Sequence, residues 1–155
     1  MVCSVDRVVD SGSEWDSHVL LLYRDEPHRQ ASLAAWVQRG LSRGDKIVYT
    51  HLASDTEVLT TLADRGVDVD EALSDGQFAI LPVDAFYPAE GQRSLVEKAL
   101  AEGYPAVRFS AQEDTALSFM REDDHRVTEH LMDDLCATLP VSARLPDTIG
   151  SCPEV

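Results

Sequence analysis

The sequence predicts an α/β fold: three layers, with a mainly parallel sheet of four to five strands and helices on both faces. Three observations predict it. Short continuous apolar runs recur along the chain, spaced by roughly thirty residues, the length of a strand–helix–strand unit. Longer segments with apolar residues at helical spacing lie between them. Glycines close those segments, and the phrases "LSRGDKIVY" and "LAEGYPAVRF" use one helix-to-strand turn twice. Alternating strands and helices imply parallel pairing, because a parallel pair needs a crossover.

The elements follow in order. Residues 1–17 are expected to form a loose arm, 18–145 a single α/β domain and 146–155 a loose tail. Val19 to Tyr23 is a continuous apolar run, as expected of a strand covered on both faces. Leu33, Trp36, Val37 and Gly40/Leu41 then fall at helical spacing, and Gly44 stands where a C-terminal cap belongs. "KIVYT" (Lys46 to Thr50) is the second strand. "SDTE" (Ser54 to Glu57) has the form of a capping box, followed by Val58, Leu59 and Leu62. "QFAILPV" (Gln77 to Val83) is the third strand, with Pro82 at its end. Leu95, Val96, Ala99 and Leu100 mark the next helix. "AVRFS" (Ala106 to Ser110) is the fourth strand. Ala116, Leu117, Phe119 and Met120 suggest a short helix or packed loop. Val127, Leu131, Leu135 and Leu139 step by four along a last long helix, and "VSARL" (Val141 to Leu145) is a candidate fifth strand.

The 155 residues are 44% apolar and 26% charged, with a net charge of −15. Such a surface repels nucleic-acid phosphates, so direct DNA or RNA binding is disfavoured. The cysteines Cys3, Cys136 and Cys152 are odd in number and lack a CxxC spacing, which argues against a disulfide framework. Cys136 sits in a helical pattern and is expected in the core. No segment has the apolar length of a membrane span, residues 1–17 do not resemble a signal peptide, and a cytoplasmic location is expected. His125 and His130 do not share a helix face, and three scattered cysteines do not make a closed zinc set, so neither a metal nor a cofactor is expected.

In parallel sheets ligands bind beyond the carboxyl ends of the strands. That rule selects Tyr23, Arg24, Asp25 and Glu26 after the first strand and His51 after the second. It selects Asp84, Phe86 and Tyr87 after the third, and Gln112 and Glu113 after the fourth. The set mixes rings, acids, an amide and a guanidinium, which suits a small organic ligand. No GxxxxGK[ST] or GxGxxG is present. A phosphate loop needs converging amides; here Pro27 has none, and Asp25 and Glu26 repel phosphate. The plain alternative for Asp25 and Glu26 is helix capping and first-turn charge. His18 opens the first strand at the opposite end and reads as a structural histidine.

One ordered set of phrases resembles a known family. "HVLLLYRDEPHRQASLAAWVQRGLSRGDKIVY" is similar to the opening of the MEDS (methanogen/methylotroph, DcmR sensory) domain, through His18, Tyr23, Asp25, Gly40, Leu41 and Gly44. "LADRGVDVDEALSDGQFAILPVDAFY" resembles its middle, through Gly66, Val67, Asp68, Gly76, Gln77 and Tyr87, and "ALAEGYPAVRFS" its Gly-Tyr-Pro turn. The likeness covers about residues 18 to 110. It implies a RecA/KaiC-like fold without a phosphate loop, and ligand sensing rather than nucleotide hydrolysis. Family members are often fused to DNA-binding, kinase or STAS-type output domains. Two departures stand out: Ala111, Gln112 and Thr115 replace a glycine, an acid and a tryptophan, and "VSARLPDTIG" lacks the family's Leu-Cys-x-Tyr phrase.

The first functional expectation is therefore a small-molecule-sensing or regulatory domain acting through a protein partner, with homodimerisation left open. The alternatives are a metabolic enzyme of isomerase or cyclase type on the same scaffold, and a ligand-free interaction module. Millimolar ATP or GTP is expected to leave the melting temperature unchanged. A nucleotide-dependent rise contradicts the reading of the glycine-free turn.

Overall fold

The computed structural model describes residues 18–51, 54–87, 89–111 and 113–148. The expected N-terminal arm, Gln112 and residues 149–155 of the expected tail lie outside the described residues. The described chain runs β1 (His18–Tyr23), α1 (Glu26–Arg43), β2 (Lys46–Tyr49), α2 (Asp55–Asp64), α3 (Asp70–Asp75) and β3 (Phe78–Ile80). It continues through α4 (Val83–Phe86), α5 (Ala89–Ala101), β4 (Val107–Ser110), α6 (Glu113–Phe119), α7 (Glu122–Thr138) and β5 (Val141–Thr148). The five strands form one sheet in the order β1-β5-β4-β2-β3, and every neighbouring pair is parallel.

Strand residues alternate between two cores, because successive side chains point to opposite faces. Ile47 and Tyr49 of β2 join Leu33, Ala34 and Val37 of α1, Val58 and Leu62 of α2 and Ala72 of α3. Val48 of β2, Val107 and Phe109 of β4, and Val141 and Ala143 of β5 join Phe86, Val96, Ala116, Met132, Leu135 and Cys136. Helices α1–α3 thus cover one face and α4–α7 the other, giving the three layers.

Under α1 the sheet is polar. Arg108 and Ser110 of β4 and Ser142 and Arg144 of β5 are all buried. Arg108 Nε donates to Asp45 Oδ2 at 2.7 Å, and both side chains are 4% exposed. The Arg108 guanidinium stacks on Trp36, 4.8 Å from its ring centre, and Arg144 lies 5.6 Å from the same ring. Gly40 permits this approach: a Cβ there would stand 2.8 Å from both Arg108 Cδ and Ile47 Cδ1. Gly44 ends α1 in the left-handed region (φ 77°), and its amide donates back to Gly40 and Leu41.

Two expected strand ends are corrected, and the last helix gains detail. The third strand ends at Ile80 rather than Val83, because Pro82 caps the short α4 that Val83 opens. The fifth strand runs past Leu145 to Thr148, because β1 is long enough to pair Leu21, Leu22 and Tyr23 with Pro146, Asp147 and Thr148. The expected last long helix is present as α7, and its residues spaced by four do not share one buried face. Helix α7 buries His125, Thr128, Met132, Leu135 and Cys136, and leaves Val127 59% and Leu131 41% exposed. Steps of four drift around a helix of 3.6 residues per turn, so a long series of them leaves the core.

His18 ties the start of β1 to α7. Its Nε2 lies 2.7 Å from Glu129 and its Nδ1 2.7 Å from Asp133. Both ring nitrogens face carboxylate oxygens, and only the doubly protonated imidazolium donates to both. Burial works to lower the His18 pKa, but the two carboxylates raise it above 6.5. Burial works to raise Glu129, yet the His125 and His18 rings beside it hold it down at about 2.

Gly40→Ala is expected to destabilise the fold by about 1–3 kcal/mol through overpacking, despite the better helix propensity of alanine. A urea midpoint equal to wild type shows that α1 does not seat on Arg108 and Ile47. The ion pair makes a pH prediction. A raised His18 stabilises below its unfolded pKa of 6.5, and this is lost as pH rises through the folded value. A lowered Glu129 stabilises above 4.5, and this is lost as pH falls toward about 2. The melting-temperature gap between wild type and His18→Gln is therefore largest between pH 4.5 and 6.5. A gap constant across pH shows that the contact is not ionic.

Candidate ligand cleft

The turn after β1 is closed by its own side chains. The His28 amide donates to Asp25 Oδ1 at 2.9 Å, and the Arg24 amide to His28 Nδ1 at 3.3 Å. Asp25 is the N-cap of α1, with Pro27 in the first turn. Two amides of this turn, those of Arg24 and His28, are thus taken up by its own side chains. Arg24 and Asp25 are exposed, and Tyr23 is half-buried at the end of β1.

The next helix start is different. Ser54 caps α2 by accepting from the Glu57 amide at 3.2 Å. Between the first turns of α1 and α2, over the end of β2, lies a cleft of about 360 Å³. Its volume falls within the range of small-molecule sites. Tyr49 and His51 line it from the sheet; Glu26, Arg29, Gln30 and Leu33 line it from α1; Thr56, Glu57, Val58, Thr60 and Thr61 line it from α2. Its character is mixed: one guanidinium, two rings, three threonine hydroxyls and the apolar Leu33 and Val58.

His51 stacks on Tyr49 with ring centres 5.5 Å apart and planes 17° from parallel. Its side chain is 5% exposed. Nε2 lies 3.1 Å from Asp55 Oδ1, while the buried Nδ1 has no hydrogen-bond partner among the described residues. Arg29 Nε donates to Glu26 Oε2 at 2.8 Å, and Nη2 contacts the other oxygen of the same carboxylate. The Glu26 hydrogen bonds raise the Arg29 pKa, and Arg29 in turn lowers that of Glu26. Burial raises the Tyr49 phenol despite the nearby Arg29 and Arg144 cations, so it stays neutral at pH 7. Burial lowers Arg144 to about 10, where it is still charged.

Among the residues that the strand-end rule selects, His51 and Glu26 line this cleft, while Tyr23, Arg24 and Asp25 do not. Phe86 and Tyr87 are buried in the opposite core, where Phe86 meets Tyr87 and Phe109 edge-on at 5.0 and 5.6 Å. Both rings also border a second cavity of about 20 Å³. Asp84 is exposed on α4, Glu113 opens α6, and Gln112 lies outside the described residues. Sequence reasoning missed Arg29, Tyr49 and the α2 threonines. Thr56 and Thr60 stand four apart on α2, a spacing that also fits an ordinary solvated face. Among the described residues no group of three or more His, Cys, Asp and Glu side chains is placed to hold a metal ion. No helix among them is long and apolar enough to cross a membrane.

Comparisons with known proteins agree with this geometry at the level of the fold. The crystal structure of a KaiC-like protein from the hyperthermophilic archaeon Pyrococcus horikoshii superposes with a TM-score of 0.64 at 12% identity, covering 90% of this chain. The match spans 65% of that protein's length. The fold is therefore RecA/KaiC-like. No curated protein matches the sequence. The family model described as MEDS, the MEthanogen/methylotroph, DcmR Sensory domain, matches residues 17–144, and the chain belongs to that family.

Proposed function

We propose that this protein is a small-molecule sensor whose ligand sits in the α1–α2 cleft. The observation that carries this reading is His51: a side chain almost wholly buried at the cleft, with Nδ1 lacking any partner among the described residues. A buried polar atom left unpaired is costly, and a bound ligand removes that cost. Membership of a sensory family supports the same reading. The site reaches the ligand through His51, Tyr49 and Arg29, with the α2 threonines as adaptable hydroxyls.

Nucleotide hydrolysis is not part of the proposed role. In support, the β1–α1 turn spends its amides on Asp25 and His28. The response passes to a protein partner. Supporting this, the cleft joins two helices that meet across it, α1 and α2. A ligand wedged between them favours one helix spacing over another, and a partner touching either helix reads that change.

The test is a melting screen of wild type and Thr60→Trp against small-molecule fractions of a cell extract. Thr60 is exposed at the cleft, so a tryptophan there obstructs the cavity at little cost to folding. At least one fraction is expected to raise the wild-type melting temperature and leave Thr60→Trp unmoved. Equal shifts in both proteins place the ligand elsewhere, and no shift from any fraction sinks the sensing role.

A further inference from the structure

Among the described residues, the large apolar side chains left exposed are Leu117 (43%), Phe119 (44%), Val127 (59%) and Leu131 (41%). All four lie on α6 and α7, which pack on each other. A lone exposed leucine is ordinary, but their concentration on two packed elements is not. Val127 and Leu131 stand one helical turn apart, so they share a face of α7. Phe119 rests against the buried ring of Tyr87, with ring centres 6.3 Å apart. These helices cover the sheet face opposite the cleft.

Charge surrounds the apolar stripe. Helix α7 carries six carboxylates, Glu122, Asp123, Asp124, Glu129, Asp133 and Asp134, against one arginine, Arg126. Asp123 and Asp124 lie one turn before Val127, and Asp134 one turn after Leu131. Arg126 pairs with Glu122 at 2.6 Å, and Arg121 with Asp124 at 3.5 Å. Asp123 and Asp134 are exposed and have no ion pair among the described residues. The stripe is thus apolar in the middle and negative at both ends.

We propose that the exposed face of α7, with the end of α6, docks a basic amphipathic helix of a partner protein. A helix surface has no free backbone edge, so a partner cannot add a strand to it; side chains do the recognising. The occupant's apolar stripe covers Val127 and Leu131, and its lysines or arginines reach Asp123 and Asp134. The acids set the sign of the partner and guide its approach. A second copy fits badly, because it brings the same acids and a net charge of −15 to the contact. Anionic lipid and nucleic acid are repelled for the same reason. A partner seated here leaves the cleft open, so the docking does not depend on the ligand role.

The test is calorimetric titration of the full chain with a leucine–lysine peptide of about 18 residues, whose leucines form one helical stripe. Two controls accompany it: the same composition scrambled, and the same stripe with glutamates for lysines. The striped basic peptide is expected to bind about tenfold or more tightly than either control. Val127→Gln with Leu131→Gln is expected to lower that affinity about tenfold, as for truncation at the centre of an interface, with the melting temperature unmoved. Asp123→Asn with Asp134→Asn is expected to flatten its dependence on salt. A scrambled peptide that binds as tightly reduces the effect to bulk charge and overturns the proposal. So does absence of binding, or affinity untouched by the glutamine pair. A fall in melting temperature from the glutamine pair alone means the chain itself covers the face. A wild-type dimer in sedimentation that the glutamine pair dissociates assigns the face to a second copy. Either result overturns the partner assignment.

Discussion

The seating of α1 on the sheet is the constraint from which the rest follows. An amphipathic helix normally rests on apolar strand residues. Here it rests on Ile47 and Tyr49 on one side and on Arg108, Ser110, Ser142 and Arg144 on the other, and most of the charge in that polar part is answered by neighbouring groups. Asp45 neutralises Arg108 at 2.7 Å, Trp36 covers both guanidiniums, and Ser32 and Ser110 bind Arg144. A buried pair of this kind adds little net stability, since desolvation offsets much of the attraction. It does fix position, because losing either partner strands a charge in the interior. Gly40 completes the fit by letting the helix backbone approach Ile47 and Arg108. The outcome is a helix held at one height over β2 and β4, and that height brings Arg29 to Tyr49.

The two faces of the sheet divide the work. The α4–α7 side is a conventional apolar core around Phe109, Phe86 and Val141, pinned at its edge by the His18–Glu129–Asp133 contact. The α1–α3 side keeps an apolar core shared by α1, α2 and α3, with a polar layer beside it under α1. The candidate cleft lies on the α1–α3 face and opens between α1 and α2, over the end of β2. The missing phosphate loop belongs to the same arrangement. In the turn from β1 to α1, Asp25 and His28 take up amides with their own side chains, and under the proposed role recognition falls to the side chains of the next strand and helix.

Much of the fold was legible in the sequence. Continuous apolar runs marked the buried parallel strands, Gly44 the end of α1, and Ser54 to Glu57 the start of α2. The last helix was harder. The spacing of Val127 and Leu131 marked the helix, while its buried face carries His125 and Thr128, polar residues that periodicity does not flag. The end of β5 was hidden by Pro146, which argues against a strand until β1 is seen alongside it. The site was less legible. The rule of strand ends reached His51 but also drew in Phe86 and Tyr87, whose position depends on α4 folding back into the core. The polar layer did leave a trace: Val107-Arg108-Phe109-Ser110 and Val141-Ser142-Ala143-Arg144 alternate apolar and polar with period two. A strand so patterned has one polar face, and in a sheet covered on both sides that face needs a polar partner. Arg29 and Tyr49 left no such trace, because their meeting depends on where α1 sits.

The central claim is that ligand enters between α1 and α2 and nowhere else. The most direct measurement is a heteronuclear NMR titration with threonine methyls and histidine rings labelled, using the extract fraction that shifts the melting temperature. The account predicts that Thr56, Thr60, Thr61 and His51 move together and saturably, while His125, His130 and Thr128 on α7 stay still. Movement confined to α7, or no saturable movement at the α2 threonines, contradicts it.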